Sequence, residues 1–578
     1  MSSSAPIHAA QSTALSSATH QPSASGSEDF ANARIDVTTL GDLLLKAYDR
    51  FPNKPALVFP DSSQTYAELV TNALRIARGL QALGVKPRDH VGILLPTSPH
   101  LVEAFFAIAF CGATSVMVNA RYRASELAYV IENADLATVL TTDAVAEQVN
   151  FVERLTAALP GLTHSKNALQ LQLDETPRLR NIVLLGTSKP TGFVTESEFF
   201  AAAETRTDND VHRSRIGTYV RDVGMILYTS GTTANPKGCL LTHEALVRNA
   251  IVLGRYRWRY TAAEKVWSPL PLFHIAAMLG MLAAFDAGGT FLGMAHFDPG
   301  VSLQMIQEHK ATMMFCPFVT FLQAMLFHPD FESTDLSSLR LGNTCFAAQP
   351  KSVGEAYRKA IPGTLQVGTF GMTEASGIVA TGGWEMDREL GFSKLGWPLL
   401  GQEVRIVDPD TGKNVPTGER GEVLIRGFNL FDGYYRDAAK TAEALDRDGW
   451  YHSGDIGSLD DSGHMMFHGR FKDMLKVGGE NVAAAEIEAL LARHPAVKLA
   501  QIVGIPDPKY AEVPAAYVEL KPNATATEAE LIEFCRGEVS GFKVPRHVRF
   551  VTEWPMSTSK IQKFQLRNAL VKELGLDQ

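Results

Sequence analysis

The chain has 578 residues, 45% of them apolar and 20% charged, a profile of several globular cores rather than general disorder. Its formal net charge is -9 and no long basic run occurs, which argues against nucleic acid or an acidic membrane face as the main partner. The five cysteines, Cys111, Cys239, Cys316, Cys345 and Cys535, lack metal-ligand spacing and read as buried thiols of a reducing, cytoplasmic compartment.

Residues 1–29 are rich in Ser and Ala and contain neither Lys nor Arg. Lacking a basic n-region and transit-peptide arginines, they read as a disordered tail. Thr65 and Glu68 have capping-box spacing ahead of Leu69, Ala73, Ile76, Ala77, Leu80 and Leu83, a helical apolar period that Gly84 can end. His90–Leu95 reads as a strand and Pro99–Phe110 as a helix. The apolar stretch Leu101–Val118 approaches a membrane span in length, but Glu103, Gly112, Thr114 and Ser115 favour a buried helix followed by a strand. Thr138–Leu140 and Ile182–Leu185 are further short strands, and the alternation predicts an α/β sheet architecture.

Val223–Tyr228 reads as a buried strand leading into Thr229, Ser230, Gly231, Thr232, Thr233, Ala234, Asn235, Pro236, Lys237 and Gly238. Leu240–Leu246 reads as a helix entry, with Thr242 as N-cap and Glu244 in the first turn. Small residues let backbone approach an anion, hydroxyls and N–H groups donate to it, and lysine adds charge, so the segment predicts phosphate handling. It is not a Walker loop, because Pro236 and Gly238 flank the lysine where that loop needs Gly and then Ser or Thr. After Glu374 the texture changes. Val404–Val407, Gly421–Arg426 and Gly463–Phe467 read as short strands among turns, a small β-rich subdomain with Trp450–Asp455 between strands. Past Gly469 a helix at Ala483–Arg493, strands at Leu499–Val503 and Ala515–Leu520 and a helix at Thr527–Val539 make a domain-sized piece, with the polar junction Arg470–Asp473 as its hinge.

Further constellations stand in order along the chain. Phe370, Gly371, Met372, Thr373 and Glu374 end a strand-like run; Asp455 follows Ser453 and Gly454; Arg470 and Lys472 precede Gly478 and Gly479; Lys560 lies near the C-terminus. Each alone is weak. Together with the Thr229–Gly238 loop they resemble the adenylate-forming enzyme superfamily of acyl- and aryl-CoA synthetases, peptide-synthetase adenylation domains and beetle luciferases, over residues 36–572.

The resemblance implies a large N-terminal domain of two stacked α/β subdomains with a small β-barrel-like subdomain, hinged to a small mobile α+β C-terminal domain. The implied boundaries are 30–469, 470–473 and 474–578. It implies ATP, Mg2+ and CoA as cofactor and co-substrates and a hydrophobic acid as substrate, in a monomer or homodimer without a membrane span. Thr229 to Lys237 would wrap the β- and γ-phosphates, and Glu374, with Thr229, would meet the metal. Phe370 would stack on adenine beside Gly371, Met372 and Thr373, while Ala348 and Gln349 lie in a stretch lining the same pocket. Asp455 and Arg470 would hold the ribose. Lys560 would bridge the substrate carboxylate and α-phosphate, with Lys563 as its rival, and Lys472 would sit at the pivot that brings Gly478 and Gly479 to the pantetheine tunnel. His274, after Pro269–Phe273, would lie near the acid, and Met313–Val319 would line its pocket. Acyl-CoA synthesis is the favoured activity and loading of a carrier protein the alternative.

Overall fold

The structure, a computed structural model, describes residues 38–229, 236–316, 319–345, 351–391, 393–477, 480–536, 538–557 and 560–576. The tail expected over 1–29 lies outside them. Seven strands form one sheet in the order Val194–Thr195, Asn181–Leu185, Leu136–Thr142, His90–Leu94, Thr114–Met117, Val223–Thr229 and Lys237–Thr242. All neighbours are parallel except the last pair. Burial on both faces accounts for the apolar runs, such as Leu136–Thr142, in which every residue is buried. The helix Tyr66–Ala82 begins at the Thr65–Glu68 capping box, and Pro99–Phe110 begins with Ser98 as N-cap and Pro99 in its first turn.

That second helix is apolar because it is buried from Leu101 to Phe110. Its one carboxylate is satisfied inside the fold: Glu103 accepts from Gln64 Nε2 at 2.6 Å and Asn72 Nδ2 at 2.9 Å, and lies 2.8 Å from His100 Nδ1. No described helix is long and apolar enough to cross a membrane.

Nine strands form a second sheet, ordered Trp397–Pro398, Gly377–Thr381, Leu365–Met372, Leu341–Cys345, Met313–Phe315, Lys265–Trp267, Thr290–Leu292, Pro55–Phe59 and Ser62–Thr65. Its centre is parallel and its edges antiparallel. Helices Leu40–Arg50, His243–Ile251 and Ile275–Ala287 pack on one another, and a single apolar core runs through Leu241, Phe285, Phe291 and Val367, joining the two sheets.

The β-rich subdomain is a four-stranded antiparallel sheet, Gln402–Val407, Gly421–Gly427, Tyr451–Leu459 and Met465–Arg470, which stays open and is not closed into a barrel among the described residues. Residues 451–455, expected between strands, lie inside one. The register shift at Ile456/Gly457 and Gly454 at φ +67° break the alternation by which a strand is read from sequence. Residues beyond 473 build a further sheet: Glu480–Ala483, Met474–Val477, Ala511–Leu520 and Val497–Asp507, with His547–Phe550 parallel to Ala511–Leu520. Helices Ala484–Leu491 and Glu528–Arg536 lie where the sequence placed them, with separate apolar clusters around Ile487 and around Leu570.

Beyond the phosphate-loop candidate the helix starts at His243 with Thr242 as its N-cap, accepting from the Ala245 N–H, and Glu244 in its first turn, as the sequence reads. What the sequence did not show is the strand ahead of it: Lys237–Thr242, including Leu240 and Leu241, pairs antiparallel with Val223–Thr229. The physical reason is pairing on both edges. Leu240 N donates to Gly433 O at 3.0 Å, Asp432 N to Leu240 O at 2.9 Å and Tyr435 N to Gly238 O at 2.8 Å, so this last strand of the sheet has its outer edge covered by residues 432–435.

Candidate active site

The hairpin sets Thr229 directly opposite Lys237 at its mouth. Ser230, Gly231, Thr232 and Thr233 lie outside the described residues. The Thr229 side chain hydrogen-bonds the buried Cys239 thiol, whose pKa is pushed up by burial and then by the Glu374 charge. Lys237 Nζ stands 5.0 Å from the centroid of the Tyr434 ring.

The same tyrosine reaches the candidate metal carboxylate. Tyr434 donates its hydroxyl to Glu374 Oε1 at 3.0 Å, and the Phe431 N–H donates to the Glu374 carbonyl at 2.9 Å. Tyr451 donates in turn to the Tyr434 oxygen. Burial first and the Glu374 charge second push both phenols above their ordinary pKa.

Glu374 sits in the turn Thr373–Ala375, directly after the strand Leu365–Met372. The turn beyond it is unusual backbone: Ser376 has φ +51° and Gly377 φ +110°. A Cβ on Gly377 would also stand 2.7 Å from Leu279 Cδ2, so glycine is required there by conformation and by space. Buried Asn249 gathers this turn. Its amide donates to Ser376 O at 3.0 Å and Ile378 O at 3.1 Å, while its own oxygen accepts from Gln402 Nε2 at 3.0 Å. Asn429 Nδ2 serves Ala375 O at 3.2 Å.

Phe370 is buried on that strand, with Gly371, Met372 and Thr373 following it, and its ring lies 6.3 Å from Phe467 on the strand Met465–Arg470. This contact ties the adenine-side candidate to the ribose-side pair. Asp455 and Arg470 are cross-strand partners, with Arg470 Nε 3.0 Å from the Asp455 carboxylate. Two strands sharing one turn bring them together although the sequence separates them. On the same strand His468 is held near pKa 4 by burial and then by the Arg420 charge.

His274 is the N-cap position of helix Ile275–Ala287, half-buried with its ring 5.0 Å from Phe273. The preceding segment is pinned where Leu272 N donates to Thr97 Oγ1 at 2.9 Å. Met313–Phe315 and Leu341–Cys345 are neighbouring strands, and Cys316 N donates to Asn343 Oδ1 at 3.1 Å. Ala348, Gln349, Gly478 and Gly479 lie outside the described residues, as do the side chains of Lys472 and Lys560. The Lys560 backbone opens a short strand paired with Met556–Ser557. Its rival Lys563 is engaged elsewhere, with Nζ 2.5 Å from Glu488 on the helix Ala484–Leu491.

Lys237 and Glu374 thus converge on Tyr434, with Thr229 opposite Lys237, and Phe370 lies against Phe467 on the strand that carries Arg470. Sequence reading missed Tyr434, Tyr451, Asn249 and Asn429. The one signal available was a polar Asn249 within the apolar period of a buried helix.

Residues 44–435 match the AMP-binding enzyme family and residues 486–560 the AMP-binding enzyme C-terminal domain. A feruloyl-CoA synthase of Amycolatopsis sp is 33% identical over 520 residues, covering 89% of this chain and 96% of that protein. A mitochondrial medium-chain acyl-CoA ligase of Danio rerio is 30% identical over 550 residues, covering 94% and 90%. The crystal structure of an anthranilate CoA ligase in complex with anthranoyl-AMP matches with a TM-score of 0.78 at 26% identity, covering 93% of this chain and 98% of that one.

Proposed function

We propose a reaction from the premise that this chain belongs to the AMP-binding enzyme family: it is an ATP-dependent, AMP-forming acid–CoA ligase. A carboxylate oxygen of a hydrophobic acid attacks the α-phosphorus of ATP, and the bond to pyrophosphate breaks. The CoA sulfur then attacks the acyl carbonyl of the adenylate, AMP leaves with the bonding electron pair, and the thiol proton passes to solvent. Two anions must meet in the first step, so the site must supply oriented donors and positive charge. The single observation that carries this reading is the convergence of Lys237 and Glu374 on Tyr434.

In this reading Thr229 and Lys237 flank the phosphates, Phe370 lies against adenine, and Asp455 accepts from the ribose hydroxyls while Arg470 holds it in place. His274 borders the acid. Lys560 enters for adenylation and withdraws before the thiol arrives, carried by residues 474–578 turning on residues 470–473 against residues 30–469. The donor set fits Mg2+. Glu374 and Thr229 offer oxygen, and no described cluster of three or more His, Cys, Asp or Glu side chains stands ready for a metal. A hard cation that enters with triphosphate and water needs only one or two protein oxygens. When bound it supplies charge neutralisation on the phosphates. Buried thiols at Cys111, Cys239 and Cys535 fit a reducing compartment such as the cytoplasm.

The test is pyrophosphate release over carboxylic acids graded in length and ring content, with and without CoA. The reading expects acid-dependent pyrophosphate, with AMP release accelerated by free CoA. Release only with a pantetheinylated carrier protein, or none with any acid, refutes it.

A further inference from the structure

We propose that Tyr434 is a positioning residue of the adenylation site: held by Tyr451, it aims the Glu374 carboxylate and bears Lys237 on its ring. The inference rests on the ligase reading, in which Glu374 faces the metal and Lys237 the phosphates.

A phenol has one proton and can accept another. Tyr434 gives its proton to Glu374 Oε1 at 3.0 Å and takes one from Tyr451, so the chain runs in one direction, Tyr451 to Tyr434 to Glu374. A carboxylate fixed through one oxygen presents the other in a set direction, which is how an outer partner orients a metal ligand.

The aromatic partners are fixed as well. Phe431 lies edge-on to Tyr434 at 4.8 Å and to Tyr451 at 5.6 Å, wedging the two phenols against one another. The backbone of 432–435 is tied to the Lys237–Thr242 strand, and Phe431 N is tied to the Glu374 carbonyl. The ring face meets Lys237 Nζ at 5.0 Å, within cation–π range. One side chain therefore sets the spacing between the loop lysine and the carboxylate before nucleotide arrives. A purely structural tyrosine needs none of this convergence.

The experiment compares Tyr434→Phe, Tyr451→Phe and Glu374→Gln in the full chain. Mn2+ is titrated into enzyme with ATP and followed by electron paramagnetic resonance, a readout independent of turnover. Acid-dependent ATP–pyrophosphate exchange and the unfolding midpoint are measured in parallel. Tyr434→Phe keeps the ring and loses only the donor. It is expected to raise half-saturating Mn2+ about tenfold and slow exchange by a similar factor, with the KM for the acid and the unfolding midpoint near wild type. Tyr451→Phe leaves every Glu374 contact in place and is expected to shift the Mn2+ titration in the same direction by about threefold. Wild-type Mn2+ titrations in both tyrosine variants, beside a shifted one in Glu374→Gln, overturn the role of Tyr434 alone. An unshifted Glu374→Gln overturns the metal-facing carboxylate itself, and Tyr434 falls with it.

Discussion

Replacing Asn249 by Leu tests whether the turn beyond Glu374 is held from the neighbouring helix. The change keeps side-chain volume, so little cavity term enters. It removes the donor to Ser376 O and Ile378 O and the acceptor for Gln402 Nε2, while Ala375 O keeps Asn429. Asn249 and Gln402 are buried, so water does not readily replace these bonds. At about 1–3 kcal/mol for each buried polar group left without a partner, three such groups predict a loss of about 3–9 kcal/mol. Urea unfolding followed by tryptophan fluorescence reports the N-terminal part, which holds most of the tryptophans. The same variant should weaken Mn2+ in the ATP complex, because Glu374 lies just before the released turn. A stability change below about 0.5 kcal/mol, the range of an ordinary surface substitution, together with an unaltered Mn2+ titration, refutes the reasoning.

His243 is held neutral at pKa about 4 by burial, and its Nδ1 accepts from the Leu40 N–H at 3.2 Å. Its contribution is complete above its ordinary value of 6.5 and is lost as pH falls toward 4, about 3 kcal/mol in all; H243Q should flatten urea midpoints measured from pH 7.5 to 5, and an unchanged slope refutes the assignment. Asp455→Ala should raise the KM for ATP by about 10²-fold, the loss of charge-assisted bonds to two ribose hydroxyls, and leave the KM for the acid alone; unchanged ATP dependence counts against it. Lys560→Ala should reduce adenylation by at least ~10²-fold yet spare CoA transfer from supplied acyl-adenylate, and equal loss in both half-reactions refutes its role.

What was legible in the sequence was local. The helix Pro99–Phe110 has the bounds read for it because Ser98 and Pro99 mark its start and the apolar run its length. The helix Tyr66–Ala82 follows likewise from its capping box. The pair Asp455 and Arg470 was read only through family likeness, and the register of two adjacent strands supplies the physical reason. What stayed hidden depends on remote pairing. Leu240–Leu241 looks like a helix entry until residues 432–435 are seen to pair along the same edge. Tyr434 and Tyr451 are ordinary aromatics in the sequence. They acquire a role only when Glu374 is folded against them.

The strand that intervenes between loop and helix changes the electrostatic argument for the loop. A strand–loop–helix would place a helix N-terminus behind the bound anion, worth a fractional positive charge without any side chain. Here the helix begins at His243, beyond the strand Lys237–Thr242, and its leading N–H groups are already taken: His243 N donates to Asp222 O, Glu244 N to Val220 O and Ala245 N to Thr242 Oγ1. The described part of the loop therefore depends on the charge of Lys237 and on what holds it. That support is the segment 431–435, which ties the strand bearing Lys237 by its backbone, Lys237 by the Tyr434 ring, and Glu374 by one N–H and one hydroxyl. In the proposed reading the anion site has an adjustable element, the lysine, set against a fixed one, the zipped segment. A change in the segment should then disturb metal and nucleotide together, whereas a change near His274 should disturb the acid alone.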